Sequence, residues 1–153
     1  MATTFIDYKD DKGFYIAETF MQLVTHYIYE EAKKEQYIFS NKEDILEDME
    51  WDINGIHAGY LVLMWHEYFN GAPDEQVMLQ VLGNVKKTLQ NKGPQISVAE
   101  LMSIKTEDHV LKYILDKKPF PTAELIRVID ALIQMLEGTW ESTNYDMDLN
   151  WRY

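Results

Sequence analysis

The chain of 153 residues contains no cysteine. Disulfide-stabilised scaffolds, cysteine-ligated zinc sites and thiol catalysis are therefore excluded. Proline and glycine are also scarce, at four and seven residues, and the glycines lie mostly where predicted elements end. Because sandwiches and barrels need many turns, this composition favours a helical protein.

Long hydrophobic runs are missing as well. The longest nearly uncharged stretch, residues 53–65, is too short to span a bilayer and includes His57. The first residues show neither the basic region nor the apolar region of a secretory signal. We therefore expect a cytoplasmic protein that does not bind membranes.

Positive charge is in short supply. There are 14 lysines and arginines against 26 aspartates and glutamates, which gives a net charge of -12. Phosphate backbones and anionic lipid headgroups repel such a chain, so direct nucleic-acid binding is not expected. The natural complement is a basic protein partner. The alternative is that the charge serves only solubility.

Apolar periodicity predicts an all-α fold, a single domain over residues 1–153 built as an irregular bundle of about six to seven helices. Residues 1–12 form an extended lead-in, and the aromatic tail, residues 139–153, packs back on the bundle. The predicted helices cover residues 14–34, 41–51, 56–69, 73–89, 97–104, 106–115 and 122–138. The third is apolar on all sides, which is typical of a central helix. A single bent helix over residues 41–69 is the alternative.

Several helix starts carry capping residues. Ser40 with Glu43 and Ser97 with Glu100 have the spacing of a capping box. Threonines are expected to cap the two helices that follow, at residues 106 and 122.

Motifs for catalysis or cofactor binding are absent. The sequence has no Glu-x-x-His pair, no His-Glu-x-x-His motif and no glycine-rich phosphate loop. No catalytic residue, metal ligand or cofactor is therefore assigned. His26 and Glu30 share a helix face and could bind a metal with a third ligand. A small helical metal enzyme centred on His26, His57 and His66 is thus one alternative.

The strongest functional signal is an acidic cluster of six carboxylates within residues 43–52. Capping and the helix dipole account only for those in the first turn. Like charges four apart, such as Asp44 and Asp48, repel one another by a few tenths of a kcal/mol. Carboxylates next to exposed aromatic residues suit a protein interface. The predicted partner-binding residues are Glu43, Asp44, Glu47, Asp48, Asp52, Asp146 and Asp148.

In overall character, as a small, acidic, cysteine-free helical chain without a catalytic motif, it resembles bacterial immunity proteins, including those of contact-dependent growth inhibition systems. That resemblance implies a non-enzymatic toxin inhibitor, which binds a cognate toxin domain, often a basic nuclease, and blocks its active site. A phage or mobile-element inhibitor that mimics the charge of nucleic acid is the other alternative.

Overall fold

The computed structural model describes residues 2–153. It is mostly helical, with 52% of residues in helices, but 11% lie in strands of two small sheets. The all-α prediction is therefore corrected to a mostly helical fold with small β elements. No helix within residues 2–153 combines the length and hydrophobicity that crossing a membrane requires.

A hairpin opens the chain. Strands β1 (Thr3–Asp7) and β2 (Gly13–Ala17) pair antiparallel. The predicted lead-in is thus a strand, and the predicted first helix begins four residues too early, because residues 14–17 alternate between core and surface. Gly13 is required at the hairpin, since a Cβ atom there would lie 1.9 Å from the carbonyl oxygen of Ile6.

Helix α1 (Glu18–Ala32) occupies the centre of the fold. Twelve of its fifteen residues are buried, and it packs against the helices α2 (Lys42–Ile53), α4 (Ala72–Asn91) and α7 (Thr122–Glu137). The buried residues include polar ones at its first and fifth positions, Glu18 and Gln22. Both of these side chains contribute to the site described below.

The segment after α2 is the main departure from prediction. Residues 54–64 are turns and extended backbone, and only Trp65–Tyr68 form a short helix, α3. Both predictions for this stretch, a central helix over residues 56–69 and a bent helix over residues 41–69, are wrong. Gly55 and Gly59 adopt φ of 78° and 90°, and residues 60–64, which form no regular secondary structure, alternate between more and less buried side chains. Its apolar residues are therefore divided between core and surface.

In the second half of the chain, the predicted helices agree more closely with the structure. α4 is followed by β3 (Gln95–Ile96), α5 (Val98–Met102), α6 (His109–Leu115), β4 (Phe120–Pro121) and α7. β3 and β4 pair antiparallel. Gly138, in the left-handed conformation at φ 79°, ends α7 as predicted.

The predicted caps are only partly right. Ser97 accepts a hydrogen bond from the Glu100 amide at 3.1 Å. Asp108 rather than Thr106 caps α6. No side chain caps α2, because its first turn starts from Asn41 in the left-handed conformation and the predicted Ser40 cap does not form. The Thr122 hydroxyl donates to the Gly93 carbonyl instead of capping α7.

The aromatic tail packs on the rest of the chain, as predicted. Strand β5 (Tyr145–Asp146) pairs parallel with β2, which gives the sheet order β1-β2-β5. Met147, Leu149 and Trp151 then alternate into the core. The indole of Trp151 donates to the Pro119 carbonyl at 2.9 Å and its ring lies 5.1 Å from that of Phe120.

We expect Trp151→Ala to lower the free energy of unfolding by about 3 kcal/mol, because it removes a large buried ring and leaves a cavity. Tyr153→Ala is the matched control, since Tyr153 is exposed and its loss should change stability by less than about 0.5 kcal/mol. Urea denaturation measures both. Equal effects of the two substitutions would contradict the docking of the tail.

Candidate functional site

One face of α2 presents carboxylates to solvent. Asp44, Glu47, Asp48 and Trp51 follow the spacing i, i+3, i+4, i+7 and so share that face. Asp44 and Glu47 are exposed and Asp48 is half-buried. We call these three carboxylates the acidic face. Within residues 2–153 none of the three forms a salt bridge with a lysine, an arginine or a histidine.

The nearest lysine on α2 is occupied elsewhere. The Lys42 ammonium donates to the carbonyl oxygens of Lys34 and Tyr37, at 2.7 and 2.6 Å. Glu50 likewise points away from the acidic face, because it accepts a hydrogen bond from the Tyr29 hydroxyl at 2.6 Å. Glu43 is exposed, and its helical position places it on the side of Glu50 rather than with Asp44 and Asp48.

Helix α3 adds the negative charge of Glu67 near the acidic face. Burial raises the pKa of the Tyr68 hydroxyl, and the charges of Asp48, Asp44 and Glu67 raise it further. Burial also raises the pKa of Asp48, with His57 opposing the shift and Glu67 adding to it. Tyr68 therefore lies close enough to the acidic face to respond to its charge, and Glu67 lies close enough to Asp48 to act on it.

Asp52 was predicted to contact a partner, but the structure places it inside. Its side chain is 6% exposed, and its Oδ1 lies 2.5 Å from Nδ1 of His57. Burial raises the pKa of Asp52 from 3.8 to about 7, the hydrogen bond from His57 opposes the shift, and the charges of Asp48 and Glu18 add to it. Because the folded carboxyl binds its proton more tightly than the unfolded one, its contribution to stability is lost as pH rises from about 4 to about 7.

Buried polar groups fasten the segment 54–64 to the body of the protein. Glu18 accepts hydrogen bonds from the backbone amides of Gly59 and Leu61, each at 2.9 Å, one on each carboxylate oxygen. The hydroxyl of Thr4 in β1 donates to the Leu61 carbonyl. Gln22 donates both to the carbonyl of Asp52 and to the carboxylate of Asp108, each at 2.9 Å. Hydrogen bonds from β1, α1 and the residues around it therefore fix the conformation of residues 54–64, which we call the loop.

The fastened loop exposes large apolar side chains. Tyr60 is 63% exposed and Trp51, at the end of α2, is 42% exposed, while Ile56 and Val62 are also accessible. The His57 ring lies between the two aromatic rings, 5.9 Å from Trp51 and 5.5 Å from Tyr60. The Tyr60 hydroxyl donates to the Ile56 carbonyl at 3.2 Å. We call Trp51, Ile56, Tyr60 and Val62 the apolar patch.

The apolar patch adjoins the acidic face. Trp51, a member of the apolar patch, lies on the same side of α2 as the three carboxylates. Val62 lines the same small cavity as Asp48. The sequence prediction assigned Ile56, Tyr60 and Val62 to the core and missed Glu67 altogether. The available signal was the pair of glycines at 55 and 59, because closely spaced glycines argue against a continuous helix.

The two tail carboxylates do not join this site. The loop contacts β1 through Thr4, whereas Asp146 lies in β5, on the other side of β2. Asp148 is exposed and pairs with Arg152 at 2.9 Å. The seven predicted residues therefore divide into Asp44, Glu47 and Asp48 on the acidic face, Glu43 beside it, Asp52 beneath it, and Asp146 and Asp148 elsewhere.

Metal-ligating residues do not converge in the described part of the chain, where no group of three or more histidines and carboxylates could hold a metal ion. Burial lowers the pKa of His26, with the charge of Glu30 opposing the shift. His57 is engaged with Asp52, and His66 is exposed on α3. The arrangement of charged and apolar surface instead suits the binding of a macromolecule.

No protein-family model, curated protein or solved structure matches this chain.

We expect His57→Ala to destabilise the protein more at pH 8 than at pH 5. At pH 8 Asp52 is ionised, and losing its donor leaves a buried carboxylate unsatisfied, which costs about 1–3 kcal/mol. At pH 5 the carboxyl is protonated and needs the donor less. Urea denaturation at the two pH values measures the difference. His66→Ala should show no pH-dependent loss, and an equal loss for His57→Ala at both pH values would contradict the role given to the pair.

We expect Glu18→Gln to loosen the loop. One carboxylate oxygen becomes an NH₂ group that faces a backbone N–H, so either Gly59 or Leu61 loses its acceptor. Hydrogen exchange should become about tenfold faster for residues 56–62 and stay unchanged in α4 and α7. Glu30→Gln, an exposed change on the same helix, is the control. Unchanged exchange in the loop would show that Glu18 does not hold it.

Proposed function

We propose that this protein is an acidic inhibitor that binds a basic protein partner and covers its active-site surface, as an immunity protein does with a toxin domain. The observation that carries the proposal is the acidic face itself: three neighbouring carboxylates that form no salt bridge within residues 2–153, beside an exposed tryptophan. The partner would be a basic domain, such as a nuclease, that itself binds phosphate groups.

The acidic face is not explained by the stability of α2. Asp44 and Asp48 are four residues apart and repel each other, and Glu47 adds a third like charge, at a cost of a few tenths of a kcal/mol for each pair. Only acids in the first turn gain from the helix dipole, which leaves Glu47 and Asp48 without that benefit. Lysines or arginines of a partner would remove the repulsion and pair with all three.

Charge complementarity gives the proposed mechanism. A nuclease binds its substrate through a cleft that attracts phosphates, and the same cleft attracts a row of carboxylates. The acidic face would occupy the positions of the phosphates and exclude the nucleic acid. Long-range attraction of this kind accelerates association and makes it sensitive to salt.

The first step of the test is to find whether the neighbouring reading frame encodes a basic toxin-like domain, and that domain is then purified as the binding partner. We expect Asp44→Lys with Asp48→Lys to slow association with the purified domain at least about tenfold and to reduce its salt dependence. Protection of cells that express the toxin should fall accordingly. Stopped-flow binding at several salt concentrations and a growth assay measure these effects.

The matched control changes the net charge by the same amount elsewhere. Glu35 and Glu137 are exposed, and Glu35→Lys with Glu137→Lys should leave association within about twofold of the original rate. If both double variants behave alike, the acidic face is only a solvated surface. A neighbouring reading frame without a basic toxin-like domain would count against the immunity function.

A further inference from the structure

We propose that the apolar patch is the anchor of the interface, and that it receives a basic protein surface whose arginine side chains stack on Trp51 and Tyr60. This inference rests on the proposed function, because it names the part of the site that holds the partner after the acidic face has attracted it.

The composition and continuity of the patch are those of an interaction site. Tryptophan and tyrosine dominate binding energy at protein interfaces when they lie together and are ringed by polar groups. Here the rings of Trp51 and Tyr60 both contact His57, and the backbone of Ile56 accepts the Tyr60 hydroxyl. The acidic face lies directly beside them. Large apolar side chains that cluster on a surface in this way mark interaction sites.

Buried hydrogen bonds hold the loop that carries the patch in one conformation. Glu18 is 8% exposed and spends both carboxylate oxygens on amides of the loop. Asp52 is also buried, and it positions the His57 ring between Trp51 and Tyr60. Burying carboxylates is unfavourable unless they are fully hydrogen-bonded. A loop that is ordered before binding loses little entropy when the partner docks, so its contacts translate more fully into affinity.

The protein's own lysines leave the rings of the patch uncovered. Within residues 2–153, six lysines stack on aromatic rings, namely those of Tyr8, Tyr29, Phe39, Tyr27, Tyr113 and Trp151. Neither Trp51 nor Tyr60 is among the rings covered. Tyr113 provides the sharpest contrast, because it is 61% exposed, close to the 63% of Tyr60, but the Lys117 ammonium lies 3.5 Å from its ring.

The same ligand would suit both the rings of Trp51 and Tyr60, which no lysine of residues 2–153 covers, and the carboxylates of the acidic face, which form no salt bridge within those residues. An aromatic face attracts a cation through its quadrupole, and arginine stacks on it while leaving its N–H groups free for a carboxylate. With Glu47 and Asp48 on the neighbouring turn, one guanidinium can contact both a ring and an acid. The fitting partner is therefore a basic surface that presents arginine next to apolar side chains.

The experiment does not require the natural partner. The full-length protein is immobilised and panned with a phage library of random 12-residue peptides, and the enriched peptides are synthesised for calorimetry. We expect them to combine arginine with apolar residues. Trp51→Ser and Tyr60→Ser should each weaken binding about tenfold or more, and replacing the peptide's arginine by citrulline, which is neutral, should do the same.

Tyr113→Ser is the control, with an expected change of less than about twofold, because that ring already has its cation. Thermal unfolding verifies that each variant is folded. Tyr60 carries the decisive result if Trp51→Ser disturbs α2, because most of the Tyr60 side chain lies outside the core.

The outcomes separate the anchor from the proposed function. Peptides that bind Tyr60→Ser as tightly as the original protein overturn the anchor. If their binding is nevertheless lost in the Asp44→Lys, Asp48→Lys variant, the acidic face keeps its proposed role. Peptides insensitive to both sets of substitutions would overturn the anchor and count against the acidic face as well. A library that yields no binding peptide overturns the anchor.

Discussion

The structure around the site depends on one buried carboxylate, that of Glu18. It lies in the first turn of α1, where the helix dipole favours negative charge. Its backbone amide donates to the carbonyl of Ala2, and its side chain accepts the amides of Gly59 and Leu61. One residue thus joins the N-terminal hairpin, the central helix and the loop that carries the apolar patch.

A second set of hydrogen bonds extends this connection to α2 and α6. Gln22, one turn after Glu18, donates to the end of α2 and to Asp108, and Asp108 in turn caps α6. Gly55 packs so closely on Asp108 that a Cβ atom would lie 2.6 Å from its carboxylate. Networks of this kind specify one conformation, because each member would be left unsatisfied if another moved.

The charges of the molecule are used in two different ways. The buried carboxylates Glu18 and Asp52 and the partly buried Asp108 all accept hydrogen bonds from amides or from a histidine. The carboxylates of the acidic face have no comparable internal partner among the cations of residues 2–153, although Asp48 lies only one turn before Asp52 on α2. Internal charges therefore shape the loop, and external charges remain available to a partner. The apolar patch lies where the two groups meet.

Local patterns in the sequence were sufficient to predict the long amphipathic helices and the exposure of Asp44 and Glu47. The apolar stripes of α4 and α7 repeat every three to four residues, and each helix closes its backbone hydrogen bonds within a few residues, so no distant partner has to be known. The tail was also predicted to pack, since its aromatic content makes solvent exposure unfavourable.

Only the tertiary structure decided the conformation of residues 54–64, the burial of Asp52 and the separation of Asp146 and Asp148 from the acidic face. The apolar sequence of that loop is compatible with a helix. The bonds that hold it in another form come from Glu18, 41 and 43 residues away, and from Thr4, 57 residues away. The sequence by itself determined that the chain carries a strongly acidic helix beside an apolar segment. Long-range hydrogen bonds to buried polar groups decided that Ile56, Tyr60 and Val62 of this segment face solvent and form a surface with that helix.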